Sequence, residues 1–155
     1  MAIPNKRKTF DFYRSQTTTA ELLKLYFSNA DRPDPFQIFD FRSRFSPDGP
    51  ANKREFSTDI YEAFEGLISS LRNPDDNYID THVTVFTPEN FLLLMLELQI
   101  IGLIPLSVVG LKVNGIEFIV HMKNVGYQAN LANRNAIKAA RANFIKTQSH
   151  KFSYL

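Results

Sequence analysis

The sequence predicts an α/β fold: a short sheet that ends in an antiparallel hairpin, with helices packed on it. Three observations carry this. Thr81 to Phe86 (THVTVF) is β-branched and aromatic and alternates as a short strand does. Thr87-Pro88 then opens a strongly apolar helix, and two β-rich runs joined by Asn114-Gly115 follow it. Upstream, Ile60, Ala63, Phe64, Leu67, Ile68 and Leu71 match the i, i+3, i+4, i+7 spacing of an amphipathic helix at every step.

At 155 residues the chain reads as one domain with enough length to bury a sizeable core. Three stretches divide it: a mainly helical segment over 1–78, a strand–helix–hairpin core over 79–123, and a C-terminal helix and tail over 124–155. The net charge of +2 is too small to argue for nucleic acid. With no cysteine, disulfides, thiolate metal sites and Cys nucleophiles are excluded. MAIPNKRKTF lacks the apolar centre of a signal peptide. Glu97, Gln99 and Gly102 interrupt the Leu-rich run, which is too short to span a bilayer. The expectation is a cytoplasmic protein with no membrane and no nucleic-acid partner.

In chain order, Ala2-Ile3-Pro4 reads as the end of a strand and Asn5-Lys6-Arg7-Lys8 as a basic loop. Thr18 and Glu21 form a capping box, so a short helix follows and ends near Asn29, ahead of Arg32-Pro33. Pro35 to Phe45 reads as a short helix or an irregular aromatic segment. Ser46-Pro47-Asp48-Gly49-Pro50 is a loop by composition, continued by Asn52-Lys53-Arg54. The amphipathic helix starts at Ser57 or Thr58 and is broken by Arg72-Asn73-Pro74 and the polar residues after it. In the helix after Thr87, Phe91, Leu94, Met95, Leu98 and Ile101 share one face. Leu92, Leu93, Leu96 and Ile100 widen that stripe nearly all round, so neighbours should bury it, and Gly102 should stop it. Each large side chain buried there contributes about 1.5–3 kcal/mol. The hairpin pairs Leu106 to Val113 with Ile116 to Lys123, and Asn114-Gly115 predicts a type I′ turn with φ > 0 at both residues. Tyr127 to Gln148 reads as a terminal helix with a thin apolar stripe of Leu131, Ile137, Ala140, Phe144 and Ile145. Its basic stripe of Arg134, Lys138 and Arg141 fits a solvated face.

The six glycines stand singly, so the chain has neither G-x-G-x-x-G nor a P-loop. It also lacks H-E-x-x-H and G-x-S-x-G, and its three histidines are scattered.

The order of these features carries a resemblance. A Thr-Pro-capped helix, a Gly-Leu at its end and a hairpin closing on Glu117-Phe118-Ile119-Val120 resemble the C-terminal third of class I methyltransferases that use S-adenosylmethionine. The likeness is to those found among sugar- and polysaccharide-modifying proteins. Ile3-Pro4-Asn5-Lys6-Arg7, Phe10-Asp11 and Thr17-Thr18-Thr19 are similar to the segment after that fold's fourth strand, with Asn5 where Asp is usual. Asp80-x-His82-x-x-x-Phe86-Thr87-Pro88 resembles the run leading into its late helix. The resemblance spans roughly Ala2 to Lys123 and implies a partial Rossmann-like sheet. It also implies that the glycine loop and the acid that hold the adenosyl cofactor lie outside this chain. The activity it implies is methyl transfer to a small polar or sugar-type acceptor, with the cofactor half supplied by a partner chain. The alternative is a non-catalytic interaction domain or remnant that self-associates as a homo-oligomer or binds a partner chain.

On this resemblance His82 stands near the acceptor, as a general base or a contact, with Asp80 to orient it. Lys6, Arg7, Asp11 and Arg14 stand as substrate contacts, the arginines as bidentate donors. Structural readings run beside these: a strand histidine bonded to backbone, a strand-edge Asp80, and an exposed loop with Asp11 and Arg14 loosely paired.

Overall fold

A computed structural model describes residues 1–50, 58–73, 78–127 and 134–149. Strands β1 (Ala2–Pro4), β2 (Leu106–Asn114) and β3 (Glu117–Asn124) form one antiparallel sheet in the order β1-β3-β2. The first strand of the chain therefore lies beside the last. Ile3 faces Phe118, and Met1 and Val120 exchange both backbone bonds at 2.8 and 3.0 Å. The residues after β1 are thereby tied to the middle of the sheet.

The β2–β3 hairpin forms as expected, but its turn sits one residue further along. Asn114 pairs with Glu117, which leaves Gly115 and Ile116 as the two turn residues. Gly115 has φ +60°, whereas Asn29 is the one non-glycine residue at positive φ among those described. Glycine at the first central position is the type II′ pattern, so Asn114 joins the ladder and the expected type I′ turn does not form.

Residues 81–86 are the main departure from the sequence reading. They do not enter the sheet. β propensity reports fit to a pleated, half-buried surface, and this stretch has that surface without a strand to pair with. Its backbone is fixed from outside instead. Val85 N–H donates to Thr17 Oγ1 (2.8 Å), Val85 O accepts from Thr17 N–H (2.9 Å), and Phe86 O accepts from Lys6 N–H (2.9 Å).

Five helices are described. Helix α1 (Thr19–Ser28) carries the expected capping box and ends at Asn29 in the left-handed region, φ 50°. Helix α2 (Pro35–Arg44) resolves the ambiguous aromatic stretch. Asp34 caps it, Gln37 closes a second capping box, and Pro35 sits at its first turn, where the missing N–H costs nothing. Helix α3 (Ile60–Arg72) is capped by Asp59, two residues beyond Ser57, which lies outside the described residues. It buries Ala63 and Leu67 and packs on α2, while Ile60, Phe64 and Leu71 of its expected core stripe are exposed. Helix α4 (Pro88–Ile100) is capped by Thr87, whose Oγ1 accepts from Asn90 N–H at 3.2 Å. Helix α5 (Arg134–Ser149) is the described part of the terminal helix, and the expected Leu131 lies outside the described residues.

The core forms where α4 meets the sheet. Ile3, Phe91, Phe118 and Val120 are its buried centre, with Phe86, Met95, Val108, Leu111 and Met122 packed against them. Phe91 stands edge-on to both Phe86 and Phe118, at 5.4 and 5.7 Å between ring centres. Glu97 binds two further helices to α4, accepting from Thr19 Oγ1 and from Arg141 Nε (2.6 Å). Arg141 is thus a packing residue, while Arg134 and Lys138 lie on the exposed face expected for them. No helix among the described residues is long and apolar enough to cross a membrane.

Candidate functional site

The site lies past the C-terminal end of β1. Asn5 starts the turn there. It is buried, donates its N–H to Ile116 O (2.8 Å), and accepts from Arg7 N–H (3.2 Å). Lys6–Lys8 then form one 3-10 turn. Next, residues 9–14 fold back under the 46–49 loop. Ser46 N–H donates to Phe10 O (3.1 Å), and Gly49, at φ +56°, lies so close to Thr9 that a Cβ would stand 3.0 Å from its carbonyl oxygen. That contact and that φ both demand glycine at position 49.

This fold-back delivers Asp11 and Arg14 into the interior. Asp11 Oδ1 accepts from Arg14 Nη1 at 2.8 Å, and their side chains are only 4% and 3% exposed. Arg14 Nε donates to Asp40 Oδ2 at 2.9 Å, and Asp40 also holds Arg44. The guanidinium lies 5.4 Å from the centre of the Phe41 ring. One buried cation is therefore shared by two carboxylates, an arrangement in which each charge is compensated and hydrogen-bonded.

The second oxygen of Asp11 reaches the other end of the constellation. Asp11 Oδ2 lies 2.8 Å from His82 Nδ1. The imidazole rests on Phe10, 4.8 Å between ring centres, with Phe41 at 6.3 Å. His82 keeps 42% of its side chain exposed, so Nε2 is the ring nitrogen left for a ligand. His82 lines a cleft of about 390 Å³ that runs between Ile3-Pro4, Lys6 and the 81–86 segment. That segment holds its course because Thr17 clamps Val85 from one side and Lys6 bonds Phe86 from the other. Asn90 Nδ2 in turn fixes Thr17 O at 3.0 Å.

Two further groups line the cleft. Lys6 Nζ donates to Phe12 O, and burial holds its amine below the ordinary lysine value against the opposing pull of Asp11. Thr81 is buried, and its Oγ1 has no partner among the described residues. A buried hydroxyl without a partner beside a half-exposed imidazole is a free hydrogen-bonding position.

Of the residues singled out from sequence, Lys6, Asp11 and His82 meet in this cleft and Arg14 backs Asp11. Arg7 turns away and pairs with Glu89 at the start of α4, 3.0 Å. Asp80 is exposed, and the carboxylate that orients His82 is Asp11 rather than Asp80. Sequence reasoning missed Thr81, Thr17 and Asp40. Thr17 stood out only within the Thr17-Thr18-Thr19 run, and Asp40 sat in a stretch read by its aromatics.

The described glycines at positive φ (Gly49, Gly102, Gly115, Gly126) are not grouped in one loop. Nor do three or more His, Asp or Glu among the described residues gather as metal ligands. Comparison with family models, with curated proteins and with solved structures finds no match.

Proposed function

We propose that this chain carries the acceptor side of an S-adenosylmethionine-dependent methyltransferase acting on a small polar or sugar-type acceptor, with the methyl donor held by a partner chain or by a segment outside these residues. The observation that carries the reading is the Asp11–His82 pair at the rim of the cleft. A carboxylate on Nδ1 fixes the tautomer and orientation of an imidazole, and leaves Nε2 to take a proton from an acceptor hydroxyl. Asp11 is itself held by a buried guanidinium, so the carboxylate and the ring have one geometry. Thr81 Oγ1 and Lys6 Nζ, on the same cleft, are hydrogen-bonding groups for the acceptor's other oxygens. The 81–86 segment, tied to Lys6 and Thr17, forms one wall of the cleft and supports the same reading.

Two measurements test it. Calorimetric titration of the chain alone with S-adenosylhomocysteine is expected to give no saturable heat; micromolar binding would contradict the division of the site. With a glycine-rich strand–loop–helix polypeptide added, transfer of a labelled methyl group is expected to fall by about 10²–10⁴-fold in His82→Gln. A fall of less than tenfold would remove His82 from the chemistry.

A second reading has its own support. The exposed Ile60, Phe64 and Leu71 lie along one side of α3, and the outer edge of β1 has no strand against it among the described residues. Apolar stripes and open edges are the usual surfaces of association. A non-catalytic interaction domain that self-associates or binds a partner chain would use them. Light scattering that gives a monomer at every concentration tried would count against self-association.

A further inference from the structure

A second cleft, of about 290 Å³, opens on the other side of the 81–86 segment, between α1 and α2. Val83 and Val85 line both clefts. Arg14 lines the second one and, through Asp11, braces His82 in the first. We propose that this second cleft is a subsite for a neutral polyhydroxylated ligand, one sugar ring in size.

Its chemistry argues against a charged ligand. Every ionised side chain on its wall is already answered within the protein. Lys24 pairs with Asp34 at 2.7 Å, Arg14 with Asp11 and Asp40, and Glu21 closes the α1 capping box on Thr18. An anion entering here would meet a guanidinium that two carboxylates already neutralise. An ammonium group would meet Asp34 and Asp40, which already have their cations, and a Glu21 carboxylate held by the hydrogen bonds of its own capping box.

What remains free is neutral hydrogen-bonding capacity and an aromatic face. Arg14 uses Nε and Nη1 for its carboxylates, which leaves Nη2 without a partner among the described residues on a side chain only 3% exposed. Ser15 adds an exposed hydroxyl. Phe36, 59% exposed at the rim, offers a ring whose negative face suits the C–H groups on one side of a pyranose. A volume at the small end of ligand pockets, which run to about 300–1,000 Å³, admits one ring and not a chain. The two clefts share Val83 and Val85 as a wall. The inference deepens the acceptor-side reading and rests on it for what happens at His82.

The test is nuclear magnetic resonance titration of the full, ¹⁵N-labelled chain with four neutral probes: the methyl glycosides of glucose, galactose, mannose and rhamnose. Glucuronate and glucosamine serve as charged counterparts. At least one methyl glycoside is expected to give saturable shifts at the Ser15, Thr17 and Gln37 amides. Phe36→Ala, at an exposed position that leaves the fold intact, is expected to weaken that binding about tenfold, within the range a lost aromatic contact produces. The inference is overturned if none of the four saturates, if a charged counterpart binds more tightly than its neutral partner, or if the shifts persist unchanged in both Phe36→Ala and Ser15→Ala. Binding is read without any methyl donor, so its failure refutes the sugar subsite and leaves methyl transfer to another acceptor standing. Sugar binding by a chain that supports no methyl transfer refutes the other reading alone.

Discussion

Replacing Asp11 by alanine would remove one carboxylate and leave a buried guanidinium short of a partner. Breaking a buried ion pair from one side costs about 3–5 kcal/mol, because the remaining charge stays desolvated. Here Asp40 stays on Arg14 Nε, 30% exposed and therefore partly hydrated. The loss should fall at the lower end, about 3 kcal/mol. Asp11→Asn keeps the shape and an oxygen for Arg14, but turns an amide N–H toward His82 Nδ1 and exchanges a charge-assisted bond for a neutral one, a loss of about 1–2 kcal/mol. Lys24→Ala removes an exposed pair and should cost under about 1 kcal/mol. Urea denaturation followed by far-ultraviolet circular dichroism would read the differences. With a slope of about 1.5–2 kcal/mol/M, Asp11→Ala lowers the midpoint by about 1.5–2 M. Asp11→Leu combined with Arg14→Met should recover much of that loss, since both buried charges are then gone and the partly exposed Asp40 keeps Arg44. If Asp11→Ala costs no more than Lys24→Ala, the Asp11–Arg14 pair is not the buried anchor described above.

Other perturbations follow from the same geometry. Gly49→Ala forces a side chain into the left-handed region 3.0 Å from Thr9 O; a loss of about 1–3 kcal/mol is expected by thermal or urea unfolding, and an unchanged midpoint would mean the 9–14 fold-back does not depend on that contact. Burial alone would raise the Glu89 carboxyl, but hydrogen bonds from Arg7 and from backbone hold it below the usual glutamate value. Its contribution is therefore complete above the ordinary value of about 4.3 and is lost as pH falls through the lower, folded-state value. Stability measured from neutral to acid pH should fall less steeply in Arg7→Ala than in the wild type, and parallel curves would show the tie to be inert.

What was legible in the sequence was local. Thr18 with Glu21, Thr87 with Pro88 and the glycines after helices act within a few residues, so their chemistry is written in adjacent letters. The hairpin was legible too, yet its turn moved by one residue because the ladder drew Asn114 into pairing with Glu117. Residues 81–86 have strand-like composition, but pairing is a property of two segments, and the sheet places β1 on β3 instead. The site was half legible. Lys6, Asp11, Arg14 and His82 stood out as residue types, but Asp11 and His82 are 71 residues apart, and Asp80 was the nearer acid in sequence. Only the fold-back over Gly49 and the clamp by Thr17 decide which carboxylate reaches the ring.

The most direct measurement is the tautomer of His82, read from the ¹⁵N shifts and long-range ¹H–¹⁵N couplings of its ring in the intact chain. With Asp11 Oδ2 at 2.8 Å, the neutral imidazole should carry its proton on Nδ1 and leave Nε2 bare, ready to accept a proton from an acceptor hydroxyl. Asp11→Ala should abolish that preference. A neutral ring protonated on Nε2 in the wild type, or a tautomer indifferent to Asp11, would contradict the proposal that this pair presents a base to the cleft.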